Sequence, residues 1–556
     1  MVLISLCFIL INACSEEERN LKKTRDKIRP QVKRINMTDA CTNVSTIGVI
    51  TLTFDEEINP DTVTTNTENQ WCTGSIQLSS DDFQTCVLMA DTPQADADKT
   101  SFSVFTSARM DYERTYKIRV TNRIEDKSGN LMRDIQTMVT GFTTEKELTQ
   151  AEQTRAYWTK QTGSSQEDFT KSMVVGADGY LYISGRTRGS FNDEPGKGGW
   201  DIFVLKVSSG GTIKWKKQMG TEKDDFAESM VMDSVGNLYI AGKTEGLIDT
   251  TFSRLSEAGD VFLTKLDSNG EILWQRQAGS SAEDGAFAVT VDNQDNLYVT
   301  GKTSGAMSDS TTYGKNDIFL TKYDTDGNSV WTRQIGSPKN DAAYALVVDA
   351  DDMIYMTGHT EGSFLDIQHG QRDILVVKWT SGGDMVWLKQ VGSTLDDYAR
   401  GITIDAYGNI LVTGYTYGDF AGTNQGESDM LLFKMDTNGE FLFKEQVGSE
   451  KKDLGKSIVV DHEGYLFVTG ITQGSMTCKS NLGLSDIVLL KYDSQGNRQW
   501  LEQYGSIGLD YAKTLLLTPE RELVLGGWTN SSIDGNLNQG KNDVLMLKYS
   551  RDGQRL

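Results

Sequence analysis

Over most of this chain, polar and apolar residues alternate or gather in short apolar runs bounded by Gly, Asp and Asn, and helical periodicity is scarce. Runs of that length and period predict strands joined by tight turns, so the expected fold class is all-β. Between residues 41 and 146 the runs GVITLTF (48–54), SFSVF (101–105) and TYKIRVT (115–121) put every second side chain on one face, as in a β-sandwich. From residue 147 to 556 the runs recur in a fixed order.

The recurring unit is marked by aromatic-x-x-Gln-x-Gly at Trp158, Trp215, Trp274, Trp331, Trp387, Phe443 and Trp500, separated by 56 to 59 residues. Each copy has an Asp ten residues after the aromatic, then a run such as VVDADDMIYMTGHT (347–360), a loop of variable content, and a run of the type DIFLTKYD. Four strands per unit at this period predict a propeller blade, and seven units predict seven four-stranded blades. The first aromatic strand, 157–161, has no blade before it, while the last unit stops at Leu556 short of its own. The expectation is that the N-terminal strand completes the last blade and closes the ring, leaving no unpaired edge.

Composition narrows the function. With 556 residues the chain exceeds one hydrophobic core, and 78 acidic against 55 basic residues give a net charge of −23, which excludes nucleic acid as a partner. Six Pro and 54 Gly among many Val, Ile, Thr and Tyr agree with turn-rich β structure. Residues 1–13 carry an apolar run too short to span a bilayer but suited to a signal peptide. The sequence Ile11-Asn12-Ala13-Cys14-Ser15 then resembles a relaxed bacterial lipobox, which implies a lipid on Cys14. Residues 14–40, with eight basic side chains between Arg19 and Arg34, read as a tether next to that anchor. The mature protein is thus expected in the cell envelope, surface-exposed or periplasmic, where disulfides form. Cys72 and Cys86 flank one short segment and are the expected disulfide; the pairing of Cys41 and Cys478 stays open.

Two family resemblances follow from these motifs. TFDEEINPDTV (53–63) and TYKIRVTNRIEDKSGN (115–130) resemble the bacterial Ig-like domains of surface proteins, which implies a spacer over 41–146. DSVGNLYIAGKT (233–244) and DAYGNILVTGYT (405–416) resemble the secreted bacterial β-propeller repeat proteins. That second likeness implies a fold over 147–556 and an extracellular setting, without a reaction.

Candidate functional residues come from two sources. Asp168, Asp225, Asp284, Asp341, Asp397, Asp453 and Asp510 stand just before the innermost strands, near the expected channel mouth. There they either form a negative ring, with Glu167, Asp224, Glu283 and Asp396 nearby, or accept backbone bonds between blades. The variable loops supply Phe191, Phe252, Phe364 and Phe420 as a candidate aromatic rim. A second carboxylate series, from Asp201 to Asp543, has a Lys five residues later in every blade and reads as a structural pair or anchor. Turns such as DTDGN (324–328) suggest calcium through clustered oxygens, but Asp and Asn build tight turns through their own backbone, and no other cofactor is indicated. Three scattered His residues show no metal-ligand spacing, and Gly-x-Ser-x-Gly is absent. The expected function is a monomeric, membrane-anchored, non-enzymatic binder of a protein or glycan ligand. The rivals are a propeller lyase or hydrolase using the channel acids, and an envelope-assembly scaffold.

Overall fold

The computed structural model describes residues 28–35, 44, 46, 49–144, 157–191, 196–249, 258–307, 311–364, 368–476 and 481–556. Cys14, Cys41, Phe252 and Cys478 lie outside them. The chain divides into two compact units at Arg155. Among the described residues every regular element is a strand, apart from one 3-10 turn at Pro60–Thr62.

The first unit is a sandwich of two sheets. One pairs Val32–Ile35, Ile50–Phe54, Ser101–Val104 and Gln94–Ala95 in that order; the other is built on Ile76–Ser79 and Thr115–Val120. Alternation does the work the sequence suggests: Ile50, Leu52 and Phe54 point inward together with Phe102, Val104, Tyr116, Ile118 and Val120. Val32–Ile35 corrects the tether expectation for 14–40, because these residues pair with Ile50–Phe54 as an edge strand, with a bulge after Val32. Cys72 and Cys86 are joined in a disulfide with Cα atoms 5.2 Å apart.

The second unit holds seven four-stranded antiparallel sheets. Their innermost strands are Asp168–Val175, Asp225–Met232, Asp284–Val291, Asp341–Val348, Asp397–Ile404, Asp453–Val460 and Asp510–Leu517. The two middle strands of each sheet, such as Ile354–Thr360 and Asp373–Trp379, are almost wholly buried, because flanking sheets cover both faces. That double cover explains their continuous apolar runs. The outermost strands, such as Met385–Val391, are exposed at one end and half-buried along the rest.

Ring closure is direct. Thr159–Thr162 pairs antiparallel with Asp543–Tyr549, setting Gln161 opposite Leu545, so the earliest strand is the fourth strand of the last sheet. The Trp158 amide also donates to the Leu556 carbonyl. Each marker aromatic docks on the hairpin turn of the following blade: the indole N–H of Trp274 donates to Thr325 O at 3.3 Å, and that of Trp387 to Thr437 O at 3.1 Å. Trp158 repeats the contact across the junction, donating to Ser209 O of the first blade at 2.8 Å. The seam is therefore built like the blade boundaries at Trp274, Trp331 and Trp387.

Candidate functional site

The motif residues turn out to build the frame of the site. The seven aspartates Asp168, Asp225, Asp284, Asp341, Asp397, Asp453 and Asp510 are fully buried, which overturns the negative ring and leaves the other expectation, acceptance of backbone bonds. The physical reason lies in the linker between blades. Each carboxylate accepts the backbone N–H of the Ser or Thr four residues earlier at 2.5–2.6 Å, from Ser164 through Thr221 to Ser506. In six of the seven the same Oδ2 atom also takes the hydroxyl of that residue, and at Asp341 Oδ1 takes it. Their own amides donate to the preceding blade, as Asp397 N does to Arg372 O. Burial pushes the carboxyls of Asp453 and Asp168 up, to about 7 and about 6, against the hydrogen bonds that pull them down. The neighbouring acids are paired as well, Glu167 with Arg188, Glu283 with Lys243 and Asp396 with Arg372, while Asp224 accepts from Trp200 N.

The aromatic rim is also corrected. Phe191 and Phe420 are buried, stacked against Phe203 at 4.5 Å and packed near Phe433 at 5.7 Å, and Phe364 packs partly buried against a blade core. Their backbone amides are held by the motif glutamines: Gln218, Gln390 and Gln446 accept from Phe191, Phe364 and Phe420 through Oε1 at 2.8–3.0 Å. Through Nε2 the same glutamines donate to Asp201, Asp373 and Asp429. The carboxylates of that series anchor Gln rather than the Lys five residues on, which sits at the far end of the same strand. Six of those lysines reach turn acids instead, as Lys434 does Asp405 at 2.8 Å, and Lys378 donates to Thr437 O at 3.3 Å. The turn carboxylates are occupied by backbone: Asp324 Oδ1 accepts from Asp326 N and Asn328 N. No cluster of three or more His, Cys, Asp or Glu that could hold a metal occurs among the described residues.

What the frame presents is a ring of residues that differ from blade to blade. Each innermost strand carries a β-bulge at one place, between Thr170 and Ser172 in the first and between Ala399 and Gly401 in the fifth, so that one residue has no partner across the ladder. The extra residues are Lys171, Glu228, Phe287, Tyr344, Arg400, Lys456 and Lys513. All seven line one central cavity of about 180 Å³. The glycine of the repeated Gly-x-Thr makes the bulge fit. A Cβ on Gly414 would stand 1.8 Å from Tyr398 O, and the other six copies meet the equivalent carbonyl at 1.8–2.2 Å.

The ring is basic inside an acidic protein. Lys171, Arg400, Lys456 and Lys513 face a single carboxylate, Glu228, which lies 2.7 Å from Lys171 in an ion pair. Neither Lys456 nor Lys513 has an ion-pair partner among the described residues. Burial, then the charges of Lys513, Arg400 and Lys171, push the Lys456 ammonium down to about 7. Burial and Lys171 push Lys513 down to about 8 despite Glu228.

Aromatic groups continue from the ring toward the linker aspartates. Phe287 stacks on Tyr344 at 5.0 Å, Tyr344 on His359 at 5.5 Å, His359 meets Tyr398 edge-on at 5.2 Å, and Tyr398 stacks on Tyr415 at 4.7 Å. The Arg400 guanidinium lies over Tyr344 at 4.1 Å and also reaches Tyr398 and Tyr415. On the opposite side Arg186 sits among Phe169, Trp200 and Phe226 at 4.7–5.4 Å. Burial and the nearby Arg400 and Arg372 hold His359 neutral, its imidazole pushed down to about 4.

Two stretches match known family models. Residues 26–144 match the bacterial Ig-like domain, and residues 386–421 match the beta-propeller repeat. The chain is 25% identical over 285 residues to the regulatory protein FlaEY of Caulobacter vibrioides, covering 44% of this chain and 30% of that protein. It is 22% identical over 240 residues to an uncharacterized WD repeat-containing protein of Acanthamoeba polyphaga mimivirus, covering 35% of this chain and 17% of that one. The matches thus span less than a third of either relative. Among solved structures, the WD40 domain of Neurospora crassa Pan2 aligns over 70% of this chain and 97% of its own at 10% identity and a TM-score of 0.40.

The ring positions carry a different residue type in most blades, so the repeat motif does not mark them. The signal was the position three residues after each linker aspartate, which reads Lys, Glu, Phe, Tyr, Arg, Lys, Lys around the ring.

Proposed function

We propose that this protein is a cell-envelope binder, anchored through a lipid on Cys14, whose propeller holds a glycan in its central channel without turning it over. The Ig-like unit serves as a spacer. Support for the ligand class comes from one observation: the stacked run Tyr344, His359, Tyr398 and Tyr415, bridged by Arg400. Flat rings with a few convergent polar groups suit the apolar faces and hydroxyl rims of sugars. The engagement of the channel aspartates by linker amides and hydroxyls favours binding over an acid–base role for them.

The test is a glycan array probed with the full chain and with Tyr398→Ala. Retention of one glycan class by the full chain, lost in the variant, supports the reading. No retained glycan, or retention followed by cleavage, overturns it. For the anchor, Cys14→Ser is expected to yield a protein without lipid that leaves the membrane fraction.

A further inference from the structure

The charge of the bulge ring is explained neither by the repeat nor by the aromatic run. A repeat scaffold needs no side chain at a bulged position, and sugars without charge need no cation. Yet four of the seven positions are Lys or Arg, in a chain whose net charge is −23. Among the seven ring residues only Glu228 opposes them, and it is engaged by Lys171 through both oxygens at 2.7 and 2.8 Å. Gathering like charges in one confined space costs stability. A compensating anion is the simplest physical account of such a cluster.

We propose that the waist of the channel is an oxyanion site, formed by Arg400, Lys456, Lys513 and Lys171, which takes a carboxylate or sulfate group carried by the ligand. The identity of the carrier as a glycan rests on the preceding reading; the anion site itself does not. Its size fits: about 180 Å³ is the space of about six water molecules, enough for one such group with part of its hydration. Its chemistry fits as well. The buried Nε of Arg400 has no hydrogen-bond partner, and a guanidinium offers paired donors to a planar or tetrahedral oxyanion. Lys456 and Lys513 supply point charges from the next two blades. Their lowered ammonium pKa values, caused by burial and mutual repulsion, mean that an arriving negative charge relieves a cost already present in the free protein. The aromatic run beginning at Tyr344 then lies where the rest of an acidic sugar would continue.

Isothermal titration calorimetry on the full chain tests this with three probes: sodium sulfate, a tetramer of galacturonic acid, and the methyl ester of that tetramer. Sulfate is expected to bind, and the acid tetramer to bind at least about tenfold more tightly than its ester, the loss set by one charge-assisted hydrogen bond. Lys456→Met should weaken sulfate and acid tetramer by about tenfold while leaving the ester unchanged. Its melting temperature should equal or exceed that of the unaltered chain, which separates a lost site from a lost fold. Arg400→Lys, which keeps the charge but loses the planar fork, should weaken sulfate less than Arg400→Met does. Absence of sulfate binding, or sulfate binding indifferent to Lys456→Met, overturns the proposal. Equal binding of acid and ester, abolished by Tyr398→Ala, would leave the glycan reading standing and remove the anion site. Sulfate binding that depends on Lys456, with neither tetramer bound, would support the anion site and count against the glycan.

Discussion

Lys171 and Glu228 hold the same position in adjacent blades, three residues past the linker aspartate, and their side chains meet in a 2.7 Å ion pair across the blade boundary. Both side chains are less than a fifth exposed. Removing the carboxylate by Glu228→Gln leaves Lys171 among like charges and is expected to cost about 1–3 kcal/mol, below the ~3–5 kcal/mol for breaking a fully buried pair because both side chains keep some contact with channel water. Urea denaturation of the variant measures the loss, and sulfate affinity should rise in parallel.

The opposite outcome is expected at Lys456. Its folded pKa is lowered to about 7 by burial and by Lys513, Arg400 and Lys171, with Glu228, Arg186 and the rings of Tyr415 and Tyr511 also around the channel. Between pH 7 and about 10 the unfolded chain then holds the extra proton, so stability rises with pH across that window. Below pH 7 both states are protonated and the fold carries the full cost. Lys456→Met should therefore raise stability at pH 6 by about 1–2 kcal/mol, allowing for screening by channel water, and flatten the rise toward pH 9. Thermal melts at pH 6, 7.5 and 9 check the sign.

The bulge depends on close backbone approach, which makes Gly414 a sensitive position. An Ala there puts its Cβ 1.8 Å from Tyr398 O and must displace the strand that carries Arg400. A destabilisation of about 3 kcal/mol or more is expected, at the upper end of overpacking effects. Exchange of the Asp397–Ile404 amides with deuterium should quicken before any other innermost strand does.

Closure at Trp158 gives a fourth expectation. Trp158→Ala removes the indole docked on the first blade and its 2.8 Å bond to Ser209 O. About 2–4 kcal/mol should be lost, somewhat below a fully buried Trp because the ring is partly exposed. Protection of Asp543–Tyr549 against deuterium exchange should fall to that of a sheet edge.

Reduction of the Cys72–Cys86 disulfide should act on the Ig-like unit alone. Cross-linking residues 14 positions apart stabilises by about 3 kcal/mol through the unfolded chain. Calorimetry under reducing conditions should lower one transition and leave the propeller transition in place.

The sequence by itself determined the frame of this protein. Period and turn chemistry marked the strands, the count of aromatic motifs, and the use of Thr159–Thr162 to finish the last sheet, because each is a local or repeated constraint visible in one dimension. Only the tertiary structure decided which residues face the channel. Position left Asp168 and its six equivalents between a negative ring and backbone hydrogen bonds, and the fold draws them into linker hydrogen bonds, while Phe191 and Phe420 fold back into blade cores. The side chains that reach the axis do so through a bulge, a departure of one residue from strict alternation that leaves no composition signal. Their significance arises from convergence: Lys171, Arg400, Lys456 and Lys513 are separated by up to hundreds of residues along the chain, and closing the circle brings their charges into one small space.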